Sequence, residues 1–104
     1  MKVNVLGTEY NLIVNDVLEV PDADGLCKEY TKEISIRKME NMLCDQDTNE
    51  DKKKRYDEVL RHEIIHAFFT ESGLDDYAGN EQLVDWLAKQ FPKIFKAFQE
   101  CDCL

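Results

Sequence analysis

The chain has 104 residues, with 13 Lys and Arg against 22 Asp and Glu, a formal charge of −9 at pH 7. That length suits one domain with one modest core, and the acidity argues against nucleic acid as a partner, because backbone phosphates are met by basic patches. No apolar run approaches the ~20 residues of a membrane span, and polar residues interrupt Met1–Thr8 too early for a secretory h-region, so the expected location is the cytoplasm. Cys27, Cys44, Cys101 and Cys103 then read as reduced thiols, and Cys101-Asp102-Cys103 lacks the two-residue spacer of common zinc knuckles.

The first elements read as strands. Val3–Leu6 and Tyr10–Val14 flank Gly7-Thr8, and a Gly-X loop suits the type II′ turn of a β-hairpin. Asp22-Ala23-Asp24-Gly25 is a turn signal after Pro21. It is no calcium loop, since Val20 and Thr31 would occupy the first and twelfth positions, where acids are needed. A third strand is expected at Glu33–Arg37, with Ile34 and Ile36 on a buried face and Ser35 and Arg37 on the other. Residues 44–54 form a polar connector, in which Thr48 and Asp51 resemble a capping box.

Helices follow. Tyr56, Val59, Leu60, Ile64, Ala67 and Phe68 recur at spacings of three and four, which predicts a helix over 48–72 with Gly73 past its end. Leu74 stands where a cap contact forms. Asn80 is a good N-cap for a second helix over 80–99, whose stripe is Leu83, Val84, Leu87 and Phe91. Pro92 is expected to kink it or end it at Phe91. Ile94, Phe95 and Phe98 continue the spacing, and with Trp86 they read as core. The fold class is therefore α+β: a small antiparallel or mixed sheet of about three strands, packed on two helices.

Residues 62–66 read His62-Glu63-Ile64-Ile65-His66 inside the first helix. Positions i and i+4 differ by about 40° around a helix, so both imidazoles leave one face a turn apart and can meet one zinc ion. Glu63, about 100° round from His62, is offset from the ligands and suited to act as a base on water. His62 and His66 are the only two histidines in the chain, so a third ligand must be a carboxylate or a cysteine. Glu71 points away, about 140° round from His66. Asp75 and Asp76 are possible, and Glu81 is better placed because it opens the next helix after a short connection. Asp85, one turn further on the same face, can accept from the free ring nitrogen of a ligating histidine.

The combination of H-E-x-x-H with Asn80-Glu81 and Asp85 resembles the gluzincin branch of zinc metallopeptidases. The wider phrase Leu60–Phe69, Glu71–Leu74, Asn80-Glu81 and Phe91–Lys93 is similar to small phage- and prophage-encoded metallopeptidases, distantly to the ImmA/IrrE-like and SprT-like groups. The resemblance covers residues 58–98. It implies a minimal zincin-like domain with His62, His66 and Glu81 as zinc ligands and Glu63 as general base. It also implies hydrolysis of a peptide or protein substrate, in a host cytoplasm if the gene is a phage's. Such a site calls for an oxyanion donor, for which Tyr77 is the first candidate, ahead of Tyr30, Arg37 and Arg61. If Ile34–Arg37 is the free edge of the sheet, a peptide can add to it across the metal; a loop covering that edge is the alternative. A zinc-stabilised, non-hydrolytic protein-binding module is the competing reading, against which the intact Glu63 speaks.

Overall fold

The computed structural model describes residues 1–44 and 48–104; the middle of the expected connector, residues 45–47, lies outside the described residues. Strand β1 (Lys2–Val5) pairs antiparallel with β2 (Thr8–Asn15). The pairing of Val5 with Thr8 makes Leu6-Gly7 the two-residue loop, one position earlier than expected. Both loop residues have positive φ, 51° and 89°. That is type I′ geometry, not II′, and its twist matches that of the flanking strands.

Four strands form among the described residues, not three. The additional strand is β3 (Gly25–Lys28), which pairs antiparallel with β4 (Glu33–Arg37), while β4 pairs parallel with β2. The order β1-β2-β4-β3 corrects two expectations. Strand β4 is interior, so the free edge on that side is β3. The outward residues of β4 are also covered: Ser35 and Arg37 are both buried, as are Ile34 and Ile36.

Arg37 is buried because it has a partner. Its Nε lies 3.2 Å from Asp24 Oδ1, and its Nη2 donates to the carbonyls of Pro21 and Ala23. The same Asp24 carboxylate accepts from Arg55 Nε at 2.9 Å and from the Leu43 amide at 3.1 Å. One buried acid thus ties the chain entering β3 to β4, to the segment after β4 and to the long helix. Charges are buried at acceptable cost when they are paired and hydrogen-bonded in this way.

Helix α1 (Asn49–Glu71) packs across β1, β3 and β4. Thr48 caps it as the sequence indicates, accepting from Asp51 N–H at 3.1 Å. Gly73, at φ 74°, closes it; Leu74 N–H donates to Phe69 O and Gly73 N–H to Thr70 O, both at 3.0 Å, the paired bonds of a Schellman end. Val5, Tyr10, Ile34 and Ala67 form one core cluster and Ile36, Met42 and Val59 a second. Tyr10 is wholly buried, and its hydroxyl finds Glu71 at 2.6 Å, which is why Glu71 faces the sheet and not the histidines.

A one-turn helix α2 (Asp75–Ala78) leads to α3 (Glu81–Glu100), capped by the Asn80 side chain on Leu83 N–H at 3.0 Å. Pro92 does not end α3. A proline removes the N–H that would bond the carbonyl four residues back, here Ala88 O, and Arg61 Nε of α1 donates to that oxygen at 2.7 Å. The proline's vacancy becomes a contact between helices. The aromatic residues of α3 are not core: Trp86, Phe91, Phe95 and Phe98 are all exposed, because α1 covers only Val84 and Ala88 fully.

Candidate metal centre

Four residues converge from two helices. His62 and His66, one turn apart on α1, bring their Nε2 atoms to 3.0 Å from each other. Glu81, the first residue of α3, places Oε1 2.9 Å from His66 Nε2 and Oε2 3.1 Å from His62 Nε2. The turn through α2 achieves this by folding α3 back beside α1. Each imidazole is fixed from behind. His62 Nδ1 lies 2.8 Å from Asp85 Oδ1, and His66 Nδ1 donates to the Ala78 carbonyl at 2.7 Å.

These outer bonds assign the tautomers. A carbonyl and a carboxylate only accept, so each Nδ1 carries a hydrogen and each Nε2 is the ring atom turned toward Glu81, the one available to a metal ion. Two imidazole nitrogens and two carboxylate oxygens then converge, with contacts of 2.9 to 3.1 Å. A divalent cation at the centre, or a proton on an imidazole, balances such a set. Two histidines and one carboxylate, with both rings tied by outer acceptors, are a donor set for zinc or a similar divalent ion. The residues therefore fit the metal that the motif implies.

Glu63 is placed differently. It is buried, and its Oε2 lies 4.0 Å from His62 Nε2. Its oxygen falls within 4.8 Å of both histidine nitrogens, but Glu81 is closer to each ring, so Glu81 fits as ligand and Glu63 as neighbour. Burial, reinforced by the charges of Glu81 and Asp85, pushes the Glu63 carboxyl up to about 7. A carboxyl in that range is matched to proton transfer near neutrality.

The edge strand supplies the wall. A cavity of about 400 Å³ is bounded by Gly25, Leu26 and Cys27 of β3 and by His62, Glu63, His66, Thr70, Ala78 and Glu81. A second, of about 290 Å³, shares Gly25, His62, Glu63 and Glu81 and extends past Asp22, Arg55, Glu58 and Asp85. The cluster of His62, His66 and Glu81 thus opens on both sides along β3. Gly25 makes the approach close: a Cβ there would lie 2.7 Å from Val59 Cγ1 and 2.9 Å from Glu63 Cγ. Cys27 sits in the wall with its thiol pushed up to about 12, chiefly by burial and then by Glu63.

Comparison with family models, curated proteins and solved structures finds no match to this chain.

The structure brings together His62, Glu63, His66, Glu81 and Asp85. It does not bring Tyr77 to them. That ring is 52% exposed, packs near Phe69 with centroids 6.0 Å apart, and borders a separate cavity at Gly73–Tyr77. The weaker donor candidates are also elsewhere: Tyr30 is 91% exposed, Arg37 is bound to Asp24, and Arg61 is bound to Ala88. Nor are Asp75 and Asp76 ligands, since both lie on the exposed α2 and border that same separate cavity. Sequence reasoning missed Gly25, Cys27, Arg55 and the Ala78 carbonyl. Only Gly25 had a signal, as the glycine of a turn-like tetrapeptide that in fact starts a strand.

Proposed function

We propose that the protein is a metal-dependent peptidase, with zinc held by His62, His66 and Glu81. The observation that supports this most directly is the convergence of His62 Nε2, His66 Nε2 and the Glu81 carboxylate, in contact at 2.9 to 3.1 Å, beside a buried carboxyl that is not needed to complete the cluster. A purely structural zinc takes four protein ligands and has no use for such a neighbour. Bound there, the cation supplies Lewis acidity toward water and a peptide carbonyl.

The chain's own groups do the rest. Asp85 and the Ala78 carbonyl hold the two rings in the ligating tautomer. Glu63 takes the proton of the attacking water and delivers it to the leaving amide nitrogen. Edge strand β3, which pairs with β4 and with no other strand among the described residues, offers its outer backbone edge to an extended peptide as a further strand. The openings on either side of the metal centre suit a chain passing through, so the substrate class is an internal segment of a peptide or protein.

The deciding experiment compares wild type with Glu63→Gln and His66→Ala, by elemental analysis and by mass spectrometry of a peptide pool. Wild type should hold one equivalent of zinc and cut the pool. The Glu63→Gln protein should hold the same zinc and cut at least roughly 100-fold more slowly, and His66→Ala should lose the metal. Equal zinc in wild type and Glu63→Gln, with neither cutting any peptide, would establish a non-hydrolytic zinc-stabilised module instead.

A further inference from the structure

The second half of α3 carries a surface that the metal centre does not use. Val84, Ala88, Phe91, Phe95 and Phe98 follow spacings of four, three, four and three, which is one continuous helical stripe. Its first two members are buried against the body. The rest emerges uncovered: Phe91, Phe95 and Phe98 are 46%, 41% and 44% exposed, and Phe68 of α1, beside Phe91, is 39% exposed. An apolar cavity of about 480 Å³ between Ile64, Ile65, Phe68 and Phe91 extends the stripe onto α1.

The charge of this segment is opposite to that of the chain. Between Asp85 and Glu100 there are three lysines, Lys89, Lys93 and Lys96, and no acid, in a protein of net charge −9. Lys89 and Lys93 lie roughly 150–170° round the helix from the phenylalanine stripe and Lys96 about 130°, and of the three only Lys89 has an acidic neighbour among the described residues, Glu58 at 4.0 Å. Phenylalanines along one face, lysines on the other and low overall hydrophobicity are the pattern of a helix that lies in a lipid–water interface.

Area and charge choose between a bilayer and a second copy. Four phenylalanine rings of about 200 Å² each, a little under half exposed, offer roughly 350 Å², less than the about 450 Å² of apolar area per partner in a standard protein interface. A bilayer requires no matching surface. Its anionic headgroups attract the three lysines and repel the acidic remainder, so the molecule would settle one way round. We infer that α3 from Lys89 to Phe98 docks the protein on anionic lipid, with Phe91, Phe95 and Phe98 dipping to the acyl boundary and the lysines at headgroup level.

The test is cosedimentation of the full chain with vesicles of phosphatidylcholine alone, or with about 30% phosphatidylglycerol, at low salt. Two variants, Lys93→Glu/Lys96→Glu and Phe95→Ser/Phe98→Ser, are first checked for an unchanged circular-dichroism spectrum and zinc content. Wild type should sediment with the anionic vesicles and stay in solution with the neutral ones, and each variant should bind at least roughly tenfold more weakly. Wild type remaining in solution with anionic vesicles overturns the inference. So does undiminished binding of the lysine variant. So does a wild-type dimer in sedimentation velocity that Phe95→Ser/Phe98→Ser converts to monomer, which would make a second copy the occupant.

Discussion

Replacing Gly25 by alanine tests how closely β3 approaches the metal helix. The added Cβ would lie 2.7 Å from Val59 Cγ1, 2.9 Å from Glu63 Cγ and 3.0 Å from Glu63 Oε2. Carbon atoms settle about 3.5–4.0 Å apart, so α1 and β3 must separate, or both side chains must turn, by ~0.8 Å. Overpacking of this kind costs about 1–3 kcal/mol. Against it stands a gain of ~0.4–1 kcal/mol, because alanine narrows the unfolded ensemble and Gly25 is not among the glycines with positive φ. The net expectation is a loss of about 1–2 kcal/mol, or roughly 4–16 °C in melting temperature for a domain of this size.

The displacement falls on Glu63 and not on the histidine pair, so the variant should separate two properties. Zinc affinity, measured by competition with a chromophoric chelator, should stay within about threefold, because the ligand set is untouched. Hydrolysis should fall roughly 100-fold, as a base moved by most of an ångström loses its alignment. A melting temperature at or above wild type, with hydrolysis unchanged, would show that the strand and helix are not in the close contact described.

Other expectations follow from single contacts. Arg61→Met leaves the buried Ala88 carbonyl without a donor and should cost about 1–3 kcal/mol in urea unfolding; adding Pro92→Ala, which restores a backbone N–H, should recover most of that loss, and a strictly additive double mutant would refute the pairing of Arg61 with the proline vacancy. Asp85→Asn should weaken zinc binding ~10-fold, the lower end for an outer partner because Asp85 is half exposed; chelator competition reads this directly, and unchanged affinity would remove Asp85 from the site. Hydrogen bonds from Lys32 and then Tyr10 hold Glu71 below the usual carboxylate range. Its contribution is therefore present above the unfolded glutamate value of about 4.3 and lost as the pH falls through the folded one. Glu71→Gln should accordingly flatten the acid limb of a melting-temperature profile, and an unchanged limb would count against this. Cys101 and Cys103 should react with a thiol reagent in the native protein before Cys27, whose thiol is raised and buried; peptide mapping of the labelled protein decides.

What could be read from the sequence was what local chemistry determines. The ends of α1 were legible because Thr48, Asp51 and Gly73 act within one turn of themselves, and Glu81 because a short connection leaves a helix little choice but to lie beside its predecessor. Strand β3 was not legible: it is four residues long, is half-buried throughout instead of alternating, and begins in a tetrapeptide that reads as a turn. Asp24 was hidden in the same tetrapeptide, since its partners Arg37 and Arg55 are distant in the chain. The failure at Phe91, Phe95 and Phe98 has another cause. Helical periodicity identifies the face on which apolar side chains collect, but says nothing of whether another element lies over it. Tyr77 illustrates a third limit, because being near a motif in sequence does not aim a side chain into it.

In the proposed site, the ligand atoms and the carboxyl beside them depend on different parts of the chain. His62, His66, Ala78, Glu81 and Asp85 span 24 consecutive residues of helical hairpin, whereas Glu63 acquires its dry surroundings only when Gly25, thirty-eight positions earlier, closes over it. The proposed ligand cluster therefore needs only the hairpin of α1 and α3, whereas the surroundings of Glu63 need strand β3 as well. A change that loosens β3 would act on the carboxyl and spare the cluster beside it.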